Sequence, residues 1–116
     1  MIVMNKNNGA RTEALTASSI LPQIRGLMFR SKPVCILFDF REEAIHPIHS
    51  LFVFFPFYAI YISKGKKVLE KARIGPFQLF HRNSSAARYL LETDIKTGED
   101  FSPGDEVEFD DGVENK

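Results

Sequence analysis

The sequence predicts a mainly β protein, a compact β-sandwich or distorted β-barrel of about seven short strands with one short α-helix. The first observation is the stretch Ile45–Ser63, in which thirteen of nineteen residues are aliphatic or aromatic. The second is the frequent recurrence of turn residues along the chain, as at Asn7-Asn8-Gly9. The third is that Ser18–Phe29 has apolar residues at helical spacing, preceded by residues that can act as an N-cap.

The stretch Ile45–Ser63 has the composition of a buried strand rather than of a membrane span. Its uninterrupted apolar run, Leu51–Ile62, has twelve residues, whereas a spanning helix needs about 20. Pro56 would break a helix here, and the aromatic and β-branched residues around it suit a pleated surface. We therefore expect two strands, or one strand bent at Pro56, over Ile48–Phe55 and Phe57–Ser63, with apolar residues on both faces.

The other elements follow from shorter patterns in chain order. The remaining predicted strands are Met1–Asn5, Arg11–Thr16, Val34–Phe40, Lys67–Ile74, Ala87–Thr93 and Glu106–Phe109. The helix covers about Ser18–Phe29, and Gly26 inside it indicates either a bend or a close packing contact. Arg41-Glu42-Glu43 is predicted to be an exposed connection, and Lys96-Thr97-Gly98-Glu99 a turn.

Length and composition predict one β-rich domain over residues 1–109 and a disordered polar tail over 110–116. Fifteen Lys plus Arg balance fifteen Asp plus Glu, which is unlike the basic balance of a nucleic-acid-binding protein. The single Cys35 excludes an intrachain disulfide. The apolar start of the chain is too short for a signal peptide, so we expect a cytoplasmic protein without a transmembrane segment.

Several of these segments, in this order, resemble the domain-of-unknown-function family 192, a family of small β-rich domains of bacteria and archaea. Arg25–Arg30 (RGLMFR) matches a signature of that family and is the most specific part of the resemblance. A phenylalanine-rich segment into a proline (Phe52–Pro56), a hairpin at Lys64-Gly65, Ala86–Glu92 (AARYLLE) and Gly104–Val107 (GDEV) follow at matching distances.

The resemblance covers about Ala10–Phe109 and implies a sandwich-like β-fold with one short helix. It implies no activity, because the family has none established. Many bacterial members have a polar Trp-Met-Lys-Asn-Thr run before the proline and an aspartate after it, where this chain has His49–Val53 and Tyr58. A polar site formed by those residues in other members is therefore largely absent here, and the Ile-His-Ser-Leu-Phe version resembles the archaeal branch.

The candidate binding residues are Arg25, Arg30, Asp39 and His49. Asp39 stands between two phenylalanines in a predicted buried strand, so it either faces solvent or needs a partner. We expect a structural ion pair with an arginine such as Arg25 or Arg30. The two arginines flank the apolar residues of the predicted helix, where they could clamp an anion or pair with nearby acids and cap the helix.

For three other features of the sequence, a functional role competes with a simpler structural one. His46 and His49 are three residues apart, a spacing that points to opposite faces of a strand, and only a loop near Pro47 would bring them together on a metal. Cys35 lies in an apolar segment, where a free cysteine behaves as a small buried hydrophobe rather than a nucleophile. The basic segment Lys64–Arg73 is either an anion or membrane-surface patch or, by default, a solvated hairpin.

These observations favour a non-enzymatic β-domain that binds a small ligand or a protein partner in a groove beside the helix, near Arg25, Arg30 and His49. The alternative is a hydrolase-type enzyme that uses His46 and His49 with Asp39. We assign no catalytic residue, no metal and no cofactor, and we expect a monomer that does not bind nucleic acid.

Overall fold

A computed structural model describes residues 1–17, 34–45, 55–76 and 81–111 of the chain. Within those ranges there are eight strands and one short helix: β1 Ile2–Asn5, β2 Arg11–Glu13, β3 Leu15–Ala17, β4 Ile36–Ala44, β5 Phe57–Ile62, β6 Val68–Ile74, β7 Ala87–Thr93, α1 Ile95–Gly98 and β8 Val107–Asp110. The mainly β fold class predicted from the sequence is confirmed.

The strands form two sheets, a five-stranded sheet in the order β3-β4-β7-β5-β6 and a three-stranded sheet in the order β2-β1-β8. All neighbouring strands are antiparallel except β3 and β4, which are parallel. β7 lies at the centre of the larger sheet, between β4 and β5. Its side chains are therefore flanked by neighbours on both sides, which is where burial is greatest.

The two sheets are joined at both of their sides, so that they form a distorted barrel. On one side β2 and β3 are separated only by Ala14. The N–H of Ala14 donates to Met1 O at 2.7 Å, and the N–H of Leu15 donates to Cys35 O at 2.9 Å, which carries the chain from the smaller sheet to the larger one. The second junction is the bridge between Lys67 and Glu106.

The space between the sheets is filled by an inner core to which both sheets contribute. Its buried members are Val3, Ala14, Leu37, Ile60, Ile62, Val68, Tyr89, Leu91, Phe101 and Val107. Because Leu91 is fully buried at the centre of the larger sheet, its truncation to alanine would cost about 2–5 kcal/mol. This core is what holds the two sheets together.

A second apolar cluster lies on the other face of the five-stranded sheet, the face that does not contribute to the inner core. We call this face the outer face. Its buried members are Ile36, Phe38, Phe57, Ala59, Tyr61, Ile74, Ala87 and Leu90. β5 supplies apolar side chains to both clusters in alternation, because successive residues of a strand point to opposite faces. The prediction that Phe57–Ser63 is a strand buried on both faces is thus confirmed for Phe57–Ile62.

Two local predictions were wrong. Arg41-Glu42-Glu43 is exposed as expected, but it belongs to β4, whose pairing with β7 shifts register between Asp39 and Ala44. Arg41 has a φ of 67°, so the strand continues through a bulge instead of ending. Lys96-Thr97-Gly98-Glu99 is not a simple turn, because α1 includes its first three residues.

Three further predictions fall wholly or partly outside the described residues. They are the helix at Ser18–Phe29, the strand at Ile48–Phe55 apart from Phe55, and the tail beyond Asp111. Asp110, which the sequence assigned to the tail, is the last residue of β8 and pairs with Ile2. No helix in the described part of the chain is long and apolar enough to cross a membrane.

Candidate functional site

Asp39 has an arginine partner, but it is Arg88 and not an arginine of the predicted helix. Arg88 Nε lies 3.1 Å from Asp39 Oδ1, and Arg88 Nη2 lies 3.3 Å from Asp39 Oδ2. The N–H of Arg41 also donates to Asp39 Oδ1 at 2.8 Å. Burial acts to raise the pKa of Asp39, but the hydrogen bonds and charges of Arg88 and Arg41 outweigh it and hold the pKa below its ordinary value. Asp39 therefore fastens the bulge of β4 to β7.

The other predicted site residues lie outside the described ranges. They are Arg25, Arg30 and His49, together with His46 of the hydrolase alternative. The described residues therefore do not bring Asp39 together with any of them. The third histidine of the chain, His81, is described, and it lies near Tyr61.

Cys35 is half-buried at the end of the inner core. Its Sγ accepts a hydrogen bond from Thr12 Oγ1 at 3.3 Å and contacts Asp94 Oδ1 at 3.8 Å. A cavity of about 460 Å³ opens beside it, and its lining residues are Met1, Glu13, Ala14, Leu15, Thr16, Val34 and Cys35. The thiol has no histidine among its described contacts, so a cysteine–histidine dyad finds no support there.

The basic segment Lys64–Arg73 uses two of its lysines in contacts with aromatic rings. Lys66 Nζ lies 5.4 Å from the ring centroid of Phe109, and Lys71 Nζ lies 4.7 Å from that of Tyr58. Such cation–π contacts contribute about 0.5–1 kcal/mol each at exposed sites. They favour a structural role for these lysines over a free anion-binding patch.

The outer face holds a carboxyl group in apolar surroundings, that of Glu92. Glu92 lies on β7 directly opposite Ile36 of β4 and Ala59 of β5. Ile36 is 4% exposed, Ala59 0% and Glu92 itself 7%. Directly opposed residues share one face of a sheet, so the side chain of Glu92 belongs to the outer face with its two apolar neighbours.

The surroundings of Glu92 oppose its ionisation. Burial raises the pKa of Glu92 to about 8, because a charge is poorly solvated in apolar surroundings. Among the described residues the carboxyl group makes no ion pair or hydrogen bond, and the fully buried side-chain polar atom without a partner there is His81 Nε2. At neutral pH it is therefore mainly the neutral acid, which can donate one hydrogen bond and accept others.

Tyr61, His81 and Glu70 lie close to one another on the same side of the sheet. Tyr61 is fully buried, and burial together with the carboxyl groups of Glu92 and Glu70 holds the pKa of Tyr61 above its ordinary value. The ring of His81 lies 6.2 Å from that of Tyr61, and His81 Nε2 is buried without a hydrogen bond in the described structure. Glu70, opposite Tyr61, accepts hydrogen bonds from Ser84 and Ser85.

Small side chains run across the outer face beside Glu92. Ala59 is paired with Glu92 on one side and with Ala72 of β6 on the other, and we call Ala59 and Ala72 the alanine row. Phe57 and Tyr61 lie two residues before and after Ala59 on the same face. At a rise of about 3.3 Å per residue, their Cα atoms are about 13 Å apart. The alanine row thus lies between the buried side chains of Phe57 and Tyr61, with Glu92 at one end.

Glu92 is not among the site residues predicted from the sequence, although the strand pattern around it carries a signal. In Ala87–Thr93 the alternation places Leu90 and Glu92 on one face, and Tyr89 and Leu91 on the other. A glutamate in such an apolar strand is unremarkable if the strand is at an edge. It becomes unusual only when β7 is known to be central, and that depends on pairing between distant segments.

Within the described ranges, no group of three or more His, Cys, Asp and Glu residues has the arrangement of a metal site. The outer-face cluster of Glu92, Tyr61, His81 and Glu70 is therefore considered as a set of hydrogen-bonding groups. Its members offer a neutral carboxylic acid, a phenol, an imidazole and an anchored carboxylate. This is chemistry for recognition of a ligand or for transfer of a proton.

The described fold is that of a small, distorted β-barrel, and in this chain a buried carboxyl group lies on the outer face of the larger sheet. The chain belongs to the domain-of-unknown-function family 192 (DUF192), whose description is "Uncharacterized ACR" and whose model matches residues 2–109. The resemblance seen in the sequence is therefore confirmed.

Two solved structures have a similar fold. A protein of unknown function from Novosphingobium aromaticivorans has a TM-score of 0.83 and 18% identity, over 93% of this chain and 82% of that one. A protein from Sinorhizobium meliloti described as a "putative transcription regulator" has a TM-score of 0.79 and 20% identity, over 92% of this chain and 89% of that one. At these identities the likeness is one of fold alone. The search of curated proteins gives no match.

Proposed function

We propose that this chain is a non-enzymatic binding module and that its small-ligand site lies on the outer face around Glu92. One observation carries the proposal: the Glu92 side chain is more than nine-tenths buried between apolar neighbours, and it makes no hydrogen bond or ion pair with another described residue. Buried polar groups in proteins are nearly always hydrogen-bonded, because an unpaired one costs about 1–3 kcal/mol. A ligand that bonds to the carboxyl group would remove that cost.

The surroundings of Glu92 support the same proposal. Ligand sites are mostly apolar and contain a few convergent polar groups, and the outer face combines an apolar cluster with Glu92, Tyr61 and the unpaired Nε2 of His81. Arg25, Arg30 and His49 stay in the proposal as candidate ligand contacts.

The hydrolase alternative receives less support. It needs Asp39 either as a base or to orient a histidine, but both carboxylate oxygens of Asp39 accept hydrogen bonds from Arg88. Because its pKa is lowered, Asp39 would also be a weak base at neutral pH. We therefore propose a structural role for Asp39.

Nucleic-acid binding is also disfavoured for this chain. The protein from Sinorhizobium meliloti is described as a "putative transcription regulator", a description that raises the question of a DNA-binding surface. Here the net charge is zero, and two lysines of the most basic segment contact aromatic rings. We propose a cytoplasmic monomer with one folded domain over residues 1–109 and no cofactor. Light scattering and limited proteolysis would test the oligomeric state and the domain limits.

The test of the binding site is a thermal-shift screen of small hydrogen-bonding compounds against three proteins. They are the unmodified chain, Glu92→Gln and, as a matched control at an exposed position, Glu99→Gln. We expect at least one compound to raise Tm by about 4 °C or more in the unmodified chain and in Glu99→Gln, because binding to the native state stabilises it. The shift should be at least halved in Glu92→Gln. If every shift is the same in all three proteins, or if none occurs, the proposed site is wrong.

A further inference from the structure

The turn between β1 and β2 is held to the loop before β8 by the side-chain amides of asparagines. Asn5 and Asn8 both donate from Nδ2 to Asp100 O, at 2.9 and 2.8 Å. Asn7 Oδ1 accepts from the N–H of Glu106 at 2.9 Å. We call Asn5, Asn7 and Asn8, with these two partners, the asparagine clasp. Because Nδ2 is the donor at Asn5 and Asn8, the clasp requires both side chains to remain amides.

Asn8 is the member of the clasp that is most open to chemical change. The chain has five asparagines, and Asn8 is the one that a glycine follows. Asparagine is thermolabile, since the backbone nitrogen of the next residue can attack its side-chain carbonyl carbon. Gly9 has no Cβ to hinder that approach, and Asn8 is exposed. Asn83, which precedes a serine, is by contrast only 2% exposed.

The native turn engages both groups that would have to react. The Asn8 side chain is held at its two polar atoms, because Nδ2 donates to Asp100 O and Oδ1 accepts from the N–H of Ala10 at 2.8 Å. The attacking group would be the nitrogen of Gly9, whose N–H donates to Asn5 O at 2.8 Å. The reaction therefore requires a local opening of the turn in which these hydrogen bonds break.

We infer that Asn8 is a latent modification site, at which opening of the asparagine clasp permits deamidation to aspartate and isoaspartate. The Gly9 nitrogen forms a bond to Asn8 Cγ and gives up its proton, while the bond between Cγ and Nδ2 breaks and the nitrogen leaves as ammonia. Water then opens the cyclic imide. Cleavage of its bond to Cγ gives aspartate, and cleavage of its bond to the backbone carbonyl carbon gives isoaspartate. The co-reactant is water, and no electrons are transferred.

The products cannot restore the clasp. In aspartate at position 8 an oxygen replaces Nδ2, so an acceptor with negative charge faces the carbonyl oxygen of Asp100 where a donor was. In isoaspartate the chain passes through Cγ, which adds one backbone atom to the turn and displaces the Gly9 N–H from Asn5 O. The modification therefore loosens the turn after β1 irreversibly. This inference is independent of the Glu92 site.

Peptide mapping of the full chain during incubation at pH 8 tests the site and its latency. The tryptic peptide Asn7–Arg11 contains Asn8 together with Asn7 as an internal comparison, and deamidation adds about 1 Da to it. We expect the gain at Asn8 and not at Asn7. It should be at least about tenfold slower in the native chain than in guanidinium chloride, because the native turn must open first.

Two variants separate opening of the clasp from global unfolding. Asn5→Ala removes a neighbouring part of the clasp and should speed deamidation of Asn8 in the native chain by at least about fivefold. Gly98→Ala destabilises the protein where α1 packs against β5 and should change the rate by less than about twofold. Equal acceleration in the two variants, or a native rate equal to that in guanidinium chloride, would overturn the inference.

Asn8→Asp reproduces one product and tests its effect on the fold. It should lower Tm by about 2 °C or more, because it replaces a donor by a charged acceptor. Asn7→Asp is the matched control, since it adds the same charge at the adjacent exposed residue and keeps the oxygen that accepts from Glu106. Equal Tm values for the two variants would show that the amide of Asn8 is not needed by the clasp, and the inference would be wrong.

Discussion

Asn5 and Glu92 are both buried polar residues, yet their surroundings are opposite. Asn5 is fully buried, and its Nδ2 donates to Asp100 O at 2.9 Å and to Asp105 Oδ2 at 2.7 Å. Its Oδ1 accepts from the N–H of Asn7 at 2.9 Å. Glu92 makes no hydrogen bond or ion pair of this kind in the part of the chain that the structure describes.

The difference separates a structural polar group from a functional candidate. The amide of Asn5 is satisfied and ties the turn after β1 to the loop before β8, across about a hundred residues of sequence. A satisfied buried group of this kind specifies the fold. Glu92 instead makes no hydrogen bond to another described residue, and its burial raises its pKa, which is why we propose it as part of a ligand site.

The largest expected effect is the pH dependence of stability that Glu92 causes. Its folded-state pKa of about 8 exceeds the ordinary value of 4.5, so the native state retains a proton that the unfolded state has lost. The stabilising contribution is complete below pH 4.5 and decreases as the pH rises towards 8. Between pH 5 and pH 8 the free energy of unfolding should fall by about 3–4 kcal/mol more in the unmodified chain than in Glu92→Gln.

Urea denaturation across that pH range measures this difference. Glu99→Gln should follow the unmodified chain, because Glu99 is exposed. If the free energy of unfolding depends on pH in the same way in the unmodified chain and in Glu92→Gln, the pKa of Glu92 is not raised in the native state. The contrast drawn with Asn5 would then be wrong.

The next largest effect is expected from Asn5→Ala. This substitution removes three hydrogen bonds of a fully buried side chain, which should cost about 2–4 kcal/mol of unfolding free energy. Asn8→Ala is the matched control, because the exposed Asn8 also bonds to Asp100 O and should cost about 1 kcal/mol or less. Equal losses in the two variants, measured by urea denaturation, would contradict a special role for the buried amide.

The smallest effect is expected from Arg88→Gln. The pair with Asp39 is partly exposed, with side-chain exposures of 29% and 36%, and such pairs contribute about 0–1 kcal/mol. Stability should therefore change by less than about 1 kcal/mol, and any Glu92-dependent thermal shift found in the compound screen should not change. If Arg88→Gln loses ligand binding while its stability is retained, the Asp39–Arg88 pair is part of the ligand site. The assignment of that site to Glu92 would then be weakened.

Gly98 provides a further test that is independent of the site. A Cβ atom at this position would overlap the side chains of Tyr58 and Thr93, where α1 packs against β5 and β7. Gly98→Ala should therefore destabilise the protein by about 1–3 kcal/mol. Gly65→Ala is the matched control, since the nearest atom to its added Cβ is an ordinary 3.8 Å away. Thermal unfolding would compare the two variants, and equal Tm values would show that α1 can move aside.

The sequence predicted the strands whose pattern is local. β7 has the predicted bounds Ala87–Thr93, and β5 begins at the predicted Phe57 after Pro56. These predictions succeeded because aromatic and β-branched residues in short runs, bounded by turn residues, carry the strand signal in themselves. The prediction failed at α1, because a four-residue helix has no periodicity to detect.

The candidate site was much less predictable. That Asp39 would pair with an arginine followed from the cost of burying a lone carboxylate, but its partner Arg88 lies 49 residues away in sequence. The position of β7 between β4 and β5 likewise turns Glu92 from an ordinary strand residue into a buried acid. Both facts depend on which strands pair and in what register.

The sequence by itself thus determined a β-rich chain of the DUF192 family with a strand buried on both faces, since composition and alternation are properties of neighbouring residues. Only the tertiary structure decided that the sheets join into a distorted barrel, and that a single carboxyl group stands without a described partner on its outer face. The physical reason is that the free energy of a buried charge depends on the groups that surround it in space, and those groups come from strands far apart along the chain.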